Sequence, residues 1–155
     1  MDERLCRVLI LDTDPDTLIA LQHVLEHAEV DTTVTWDKTE AGQLLETGPF
    51  DLIVIGDHPP ELDAAAILQD LRFQGTSCPS LVLRASAREK DIEYFRGLGA
   101  IGVGPRRDPL MVLEQVARAL APVRSNATPT TAGSVNRGEK AAGREFKLLR
   151  ERLLA

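Results

Sequence analysis

The amino-acid sequence predicts an α/β fold in which strands and helices alternate along the chain and form a three-layer α/β/α sandwich. Short apolar runs of strand-forming residues alternate with longer segments in which apolar residues recur at helical spacing. Glycine, proline and other turn-forming residues separate these segments at short intervals. Five such strand–helix units imply parallel strands joined by right-handed crossovers, so we expect one five-stranded parallel sheet covered by helices on both faces.

The predicted strands are short apolar runs, and a turn follows each of them. The first run is continuous, which is typical of a parallel strand covered on both faces. The third runs from Leu52 to Ile55 and meets a turn that begins at Gly56. The five predicted strands are residues 7–11, 30–36, 52–55, 81–83 and 100–103.

The predicted helices carry apolar side chains at helical spacing, and Asp14 is a capping residue for the first of them. Asp14 and Pro15 are typical of a helix start, as are Asp108 and Pro109 before the last helix. Gly48, followed by proline, ends the second helix. The five predicted helices are residues 15–27, 37–46, 63–73, 89–98 and 108–120.

The composition fits one globular domain, residues 1–121, followed by a tail. The chain is 43% apolar and 27% charged, which is ordinary for a soluble protein. Residues 122–155 carry seven bases and three acids, whereas residues 1–121 carry 11 bases and 21 acids. Binding of nucleic acid needs clustered bases, so we expect no direct contact with nucleic acid through the acidic body.

The sequence also predicts where the protein works. No apolar run approaches the roughly 18 residues that a membrane-spanning helix needs, and the N-terminal residues contain no signal-peptide core. We therefore expect a cytoplasmic protein without a membrane span. Cys6 and Cys78 have no metal-ligand spacing and no nearby catalytic histidine, so we expect both to be buried or half-buried.

The tail divides into two predicted segments. Residues 122–138 are rich in Ser, Thr, Asn, Pro and Gly and are expected to form a flexible linker. Residues 139–155 predict an amphipathic basic helix with Phe146, Leu149 and Leu153 on one stripe. A stripe this narrow does not fold alone. We expect the helix to pack on the body, pair with a second copy or bind a partner groove, and the sequence leaves docking in cis or in trans open.

Several short segments together carry a family resemblance. They are Ile10-Leu11-Asp12 with Asp14-Pro15, Gly48-Pro49-Phe50-Asp51-Leu52, Pro60, Pro79, Gly99-Ala100 and Asp108-Pro109. In these segments the chain resembles the CheY-like receiver domains of response regulators, over about residues 6–121. The resemblance implies a flavodoxin-like sheet of strand order 2-1-3-4-5 and a non-enzymatic role in bacterial two-component or phosphorelay signal transduction.

The resemblance also locates a degenerate phosphorylation pocket. Working receivers hold Mg²⁺ with two adjacent acids after the first strand, accept phosphate on an Asp that ends the third, and carry Thr or Ser after the fourth and Lys after the fifth. These positions here are Asp12-Thr13, Gly56, Arg84 and Arg106. Gly56 supplies no nucleophile, and a hard cation needs the oxygen ligands that Thr13 and Gly56 remove. We expect no catalytic residue, no metal site, and lost or weak Mg²⁺ binding.

The charges predict what replaces the metal ion. We expect Arg84 or Arg106 to take its place and to form a charge-assisted hydrogen bond to Asp12. Asp57 follows Gly56 directly, and since side chains alternate along a strand, we expect it to point away from the phosphoacceptor position and to bond its own turn. His58 is expected to be a solvated loop imidazole, because no second His or Cys lies near it in the sequence.

The resemblance finally implies an interaction face on the fourth helix, fifth strand and fifth helix, made of Tyr94, Phe95, Val103, Met111 and Glu114. The expected function is that of a phosphorylation-independent pseudo-receiver that binds a protein, such as a histidine kinase or an output protein, or forms a homodimer. Two alternatives stay open. One is a receiver that accepts phosphate on Asp57, and the other is a small-anion sensor that uses the vacated pocket.

Overall fold

A central five-stranded parallel sheet organises the computed structural model, which describes residues 5–127 and the side chains of residues 5–122. The strand order is β2-β1-β3-β4-β5, as the resemblance implied. The strands are β1 (Arg7–Leu11), β2 (Asp31–Thr35), β3 (Leu52–Asp57), β4 (Ser80–Arg84) and β5 (Ala100–Pro105). The helices are α1 (Pro15–His27), α2 (Lys38–Thr47), α3 (Ala64–Phe73), α4 (Glu89–Gly97) and α5 (Pro109–Ala127).

The sheet separates two apolar cores, because successive side chains of a strand point to opposite faces. In β3, Leu52 and Val54 pack with α1 and α5, whereas Ile53 and Ile55 pack with α2, α3 and α4. The same alternation places position 56 on the α1/α5 face and position 57 on the opposite face. All six residues of β3 are buried, as expected of a central parallel strand.

Aspartates start most of the helices, as the sequence predicted. Asp14 accepts a hydrogen bond from the Asp16 amide and Asp37 accepts one from the Thr39 amide, at 3.3 and 2.9 Å. Asp63 caps α3 in the same way. Each carboxylate accepts from a backbone N–H that has no partner within its helix. These residues therefore fix where each helix begins after the carboxyl end of a strand.

Three elements continue two or more residues beyond their predicted ends, and one of them is β5, which ends at Pro105. β3 continues two residues beyond Ile55, because Gly56 and Asp57 pair with Leu83 and Arg84 of β4. α5 continues to Ala127, so the first six residues of the predicted linker are helical. Pro122 lies inside α5; a proline there removes one backbone hydrogen bond without preventing the next turn. The remainder of the linker and the predicted tail helix lie outside the described residues.

The described helices are too short or too polar to span a bilayer: within residues 5–127, none combines the length and the apolar character that a crossing requires.

Candidate functional site

Asp12 lies at the carboxyl end of β1, on the edge of the sheet where the family resemblance places the phosphorylation pocket. Its amide donates to the Thr35 carbonyl at 3.2 Å, which extends the ladder between β1 and β2 by one residue. Leu11 is in register with Ile55, so Asp12 and Gly56 come next to each other on the α1/α5 face. The Asp12 side chain is only 1% exposed.

Arg106 holds both oxygens of Asp12. Its Nη2 donates to Oδ1 at 2.7 Å and its Nε to Oδ2 at 2.9 Å. The Arg106 amide also donates to the Arg84 carbonyl at 2.9 Å, which ties the loop after β5 to the end of β4. The hydrogen bonds to Asp12 raise the pKa of the Arg106 guanidinium. The predicted charge-assisted pair is therefore confirmed, with Arg106 as the partner of Asp12.

Gly56 is in contact with this carboxylate. An ideal Cβ on Gly56 would lie 2.1 Å from Asp12 Oδ2 and 2.6 Å from its Cγ. No real Cβ approaches another atom that closely, so any other residue at position 56 would displace the Asp12 side chain. The Asp12 carboxylate thus fills the space that a side chain at position 56 would need.

His58 completes this network, although the sequence predicted a solvated imidazole. Its Nε2 lies 2.7 Å from Thr13 Oγ1 and 3.2 Å from Asp12 Oδ1, and its Nδ1 lies 3.6 Å from Glu61 Oε2. The ring is half-buried. The prediction was wrong because it looked for partners near His58 in the sequence. The contact could have been predicted from the sheet instead: Thr13 follows β1 and His58 follows β3, and the carboxyl ends of these neighbouring strands lie at the same edge.

The residues of this pocket do not fit a divalent cation. Asp12 Oδ1 accepts from Arg106, from the Asp14 amide at 3.0 Å and interacts with His58, while Oδ2 accepts from Arg106. Among the described residues, no group of three or more His, Cys, Asp or Glu side chains is placed to hold a metal ion. A cation at Asp12 would have to displace a guanidinium that is bound through two hydrogen bonds.

A second charged cluster lies on the opposite face of the sheet and contains Asp57 and Arg84. The two residues are in register across β3 and β4, and Arg84 Nε lies 3.0 Å from Asp57 Oδ2. Asp57 Oδ1 accepts a hydrogen bond from the Ala64 amide at 3.0 Å, at the first residue of α3. The Asp57 side chain is 4% exposed. Asp57 therefore points away from the Asp12 pocket, as strand alternation predicted.

The second cluster corrects two expectations. Asp57 bonds the start of α3 and a strand partner, whereas a bond within its own turn was expected, because β3 is longer than predicted. Arg84 does not border the pocket with Asp12, because it pairs with Asp57 and with Asp91 Oδ1, the latter at 2.7 Å. Asp91 was not identified from the sequence. The backbone N–H of Arg88, with further help from Arg84, lowers the pKa of Asp91.

The predicted interaction face is only partly a surface. Tyr94 and Met111 are exposed, but Phe95 and Val103 are buried in the core, which contradicts their assignment to this face. Both belong to the core cluster between the sheet and α2, α3 and α4. Glu114 is half-buried and pairs with Arg118 at 2.7 Å. Ile101 is exposed on β5, although the sequence did not place it on this face.

Comparisons with known proteins identify the type of domain. No family model matches the chain. The transcriptional regulatory protein PrrA of Mycobacterium tuberculosis is 30% identical over 128 residues, which are 83% of this chain and 54% of PrrA. The chain thus spans about half the length of the curated relatives it matches first.

Solved structures agree with this assignment. The receiver domain of the Francisella response regulator 1452 is 25% identical, with a TM-score of 0.69 over 76% of this chain and 98% of that one. The chemotaxis response regulator CheY4 of Vibrio cholerae, at 21% identity, shares the fold, with a TM-score of 0.68 over 76% of this chain and 100% of that one. By fold and by sequence similarity, the described residues form a CheY-like receiver domain of the kind found in two-component response regulators.

Proposed function

We propose that this receiver domain is a phosphorylation-independent pseudo-receiver, a signalling module that acts by binding another protein. One observation carries the proposal. The residue at the phosphoacceptor position is Gly56, and the space in front of it is filled by the Asp12 carboxylate, which Arg106 holds through two hydrogen bonds. A receiver of this kind has one fixed pocket state instead of a phosphorylated and an unphosphorylated state.

The chemistry of phosphate transfer supports this proposal. Formation of an aspartyl phosphate needs a carboxylate nucleophile. It also needs a positively charged group close to the oxygens of the transferred phosphoryl group, and Mg²⁺ commonly supplies that charge. Position 56 offers no nucleophile. Arg106 does bring positive charge, but that charge is already neutralised by Asp12. We therefore propose that the domain does not bind Mg²⁺ at this pocket.

The geometry favours neither of the two alternatives. Phosphate on Asp57 would put a group with up to about two negative charges in place of a buried carboxylate with one, which already accepts from Arg84 and from the Ala64 amide. A small-anion sensor would need an open cationic pocket. Arg106 and Arg84 each have a carboxylate partner within 3.0 Å, so their charges are already paired.

The surface supports an interaction role. Tyr94, Ile101 and Met111 are exposed apolar side chains on α4, β5 and α5, and α4 and α5 both pack against β5. β5 is an edge strand of the sheet. Exposed apolar residues that share one face are candidates for protein contacts. A second copy of the chain, a histidine kinase and an output protein are the partners that we propose for this face.

Sedimentation velocity of the whole chain, with and without a small-molecule phosphodonor and Mg²⁺, tests the proposal. We expect self-association that the phosphodonor does not change and that Met111→Asp weakens. Phe73→Asp is the matched control, because Phe73 is 94% exposed and lies on α3, away from this face. Association that depends on the phosphodonor would contradict the proposal, and equal effects of the two variants would remove the assignment of the face.

A further inference from the structure

An apolar cleft of about 410 Å³ lies between α1 and β2. Its lining includes Pro15, Leu18, Ile19, Val34 and Trp36. Trp36 is 72% exposed and Ile19 is 65% exposed, so the apolar surface continues out of the cleft on both sides. Large apolar side chains that face water next to a concave apolar surface are typical of a docking site.

The chain segments that contribute the lining of the cleft carry a net negative charge. These segments, residues 13–22 and 33–37, contain three aspartates (Asp14, Asp16 and Asp37) and no lysine or arginine. An occupant that fits this surface therefore has an apolar stripe for the cleft and basic residues beside that stripe.

Two other clefts on the described surface fit such an occupant less well. The cleft between α3 and α4 is lined by Arg72 and Arg96, which repel a basic segment. The cleft between α2 and α3 is lined mainly by polar side chains, among them Lys38, Glu46 and Asp70. An apolar stripe would meet more polar lining in either of these two places than in the cleft between α1 and β2.

The chain itself contains a segment with the required chemistry. Residues 139–155 carry Phe146, Leu149 and Leu153 at the spacing of one helix face, together with five bases and three acids. We propose that residues 139–155 dock in cis in the cleft between α1 and β2, with the Phe146, Leu149 and Leu153 stripe against Ile19 and Trp36.

The chain is long enough for docking in cis. α1 and α5 share one core and both begin at the carboxyl edge of the sheet. With a rise of about 1.5 Å per residue, the 19 residues of α5 run back along the sheet and end roughly 27 Å from that edge, whereas Ile19 lies about 6 Å from it. Residues 128–138 span up to about 36–40 Å when extended. This length covers the return of about 20 Å along the helices together with the sideways step across α1.

Docking there would also place the tail next to the Asp12 pocket. Thr13 lines the cleft and its hydroxyl lies 2.7 Å from His58 Nε2, so one residue belongs to both surfaces. Docking of the tail in this cleft does not depend on whether Asp57 accepts phosphate.

Trp36 gives a direct readout, because it is the only tryptophan of the chain. The experiment measures acrylamide quenching of its fluorescence in the full chain and in Leu149→Ser. Leu148→Ser is the matched control: at about 100° per residue, Leu148 lies roughly 130° away from the centre of the stripe. Ile19→Ser removes the side chain of the cleft that would contact the tail. Ile19 is exposed, so the substitution should leave the fold intact.

Docking predicts that Trp36 is protected in the full chain and in Leu148→Ser. We expect the quenching constant to rise about twofold in Leu149→Ser and in Ile19→Ser, since a docked helix would cover most of the indole. This protection should not depend on protein concentration. Equal quenching in the full chain and in Leu149→Ser would overturn the proposal. If Leu148→Ser lost as much protection of Trp36 from quenching as Leu149→Ser, the assigned stripe would be overturned. Protection that appeared only at high protein concentration would show docking in trans and would overturn docking in cis.

Discussion

Replacing Arg106 by methionine is expected to destabilise the fold strongly. The substitution keeps a long apolar side chain but leaves the Asp12 carboxylate, 1% exposed, without its guanidinium. Removing one partner of a buried ion pair typically costs about 3–5 kcal/mol. Asp12 would keep the Asp14 amide and His58 as partners, so we expect a loss in the lower part of this range, about 3 kcal/mol.

Urea unfolding followed by far-UV circular dichroism measures this loss as a fall in the midpoint at an unchanged m-value. Arg107→Met is the matched control, because the neighbouring Arg107 is exposed and its replacement should change stability by less than about 0.5 kcal/mol. Arg106→Lys should cost roughly 1.5 kcal/mol, since lysine keeps the charge but cannot form both hydrogen bonds.

A double-mutant cycle separates the pair from its surroundings. Adding Asp12→Asn to Arg106→Met removes the buried charge, so the double variant should recover part of the stability that Arg106→Met loses. If Arg106→Met unfolded at the same urea concentration as Arg107→Met, the argument for a closed, charge-paired pocket would be refuted.

Three further predictions follow from other contacts. Gly56→Ala should lower stability by about 1–3 kcal/mol in urea unfolding, because its Cβ would collide with Asp12, whereas Gly97→Ala, with open space around it, should be neutral or slightly stabilising. The pKa of Asp91 is lower in the fold than its ordinary value of 3.8, so the ionised carboxylate stabilises the fold when the pH is above 3.8. This contribution is lost as the pH falls through the lower, folded pKa. Asp91→Asn should therefore lose less melting temperature on acidification than the wild type does. Burial raises the pKa of the Cys78 thiol from 9.0 to about 11, so its alkylation by iodoacetamide at pH 8 should be about 100-fold slower in the folded than in the urea-unfolded protein.

Much of the fold was predictable because its signals are local. Continuous apolar runs identify strands that are covered on both faces, and an aspartate before a helical pattern predicted the cap at Asp14 and, to within one residue, the helix starts at Asp37 and Asp63. The period-two alternation of β3 also predicted correctly that Asp57 points away from position 56. The ends of β3 and α5 were less predictable, since they depend on pairing with β4 and on helix continuation through Pro122.

The candidate site was predictable in its composition but only partly in its connections. The resemblance to receiver domains, which assigns Asp12, Arg84 and Arg106 to one pocket, sufficed to predict an arginine on Asp12. The choice of Arg106 over Arg84 depends on strand register, which pairs Arg84 with Asp57 on the other face. His58 could not be placed from neighbours in the sequence, because its partner Thr13 is 45 residues away and meets it only when β1 and β3 lie side by side.

The most direct test of the central claim is the intact mass of the purified chain after incubation with a small-molecule phosphodonor and Mg²⁺, measured beside Asp57→Asn. The asparagine keeps the shape of the side chain and removes the nucleophile, so it reports on the carboxylate that directly follows position 56 in the sequence. We predict that the mass of both proteins stays unchanged. A phosphate adduct on the wild type that is absent from Asp57→Asn would contradict the account and make this domain a working receiver with a displaced acceptor.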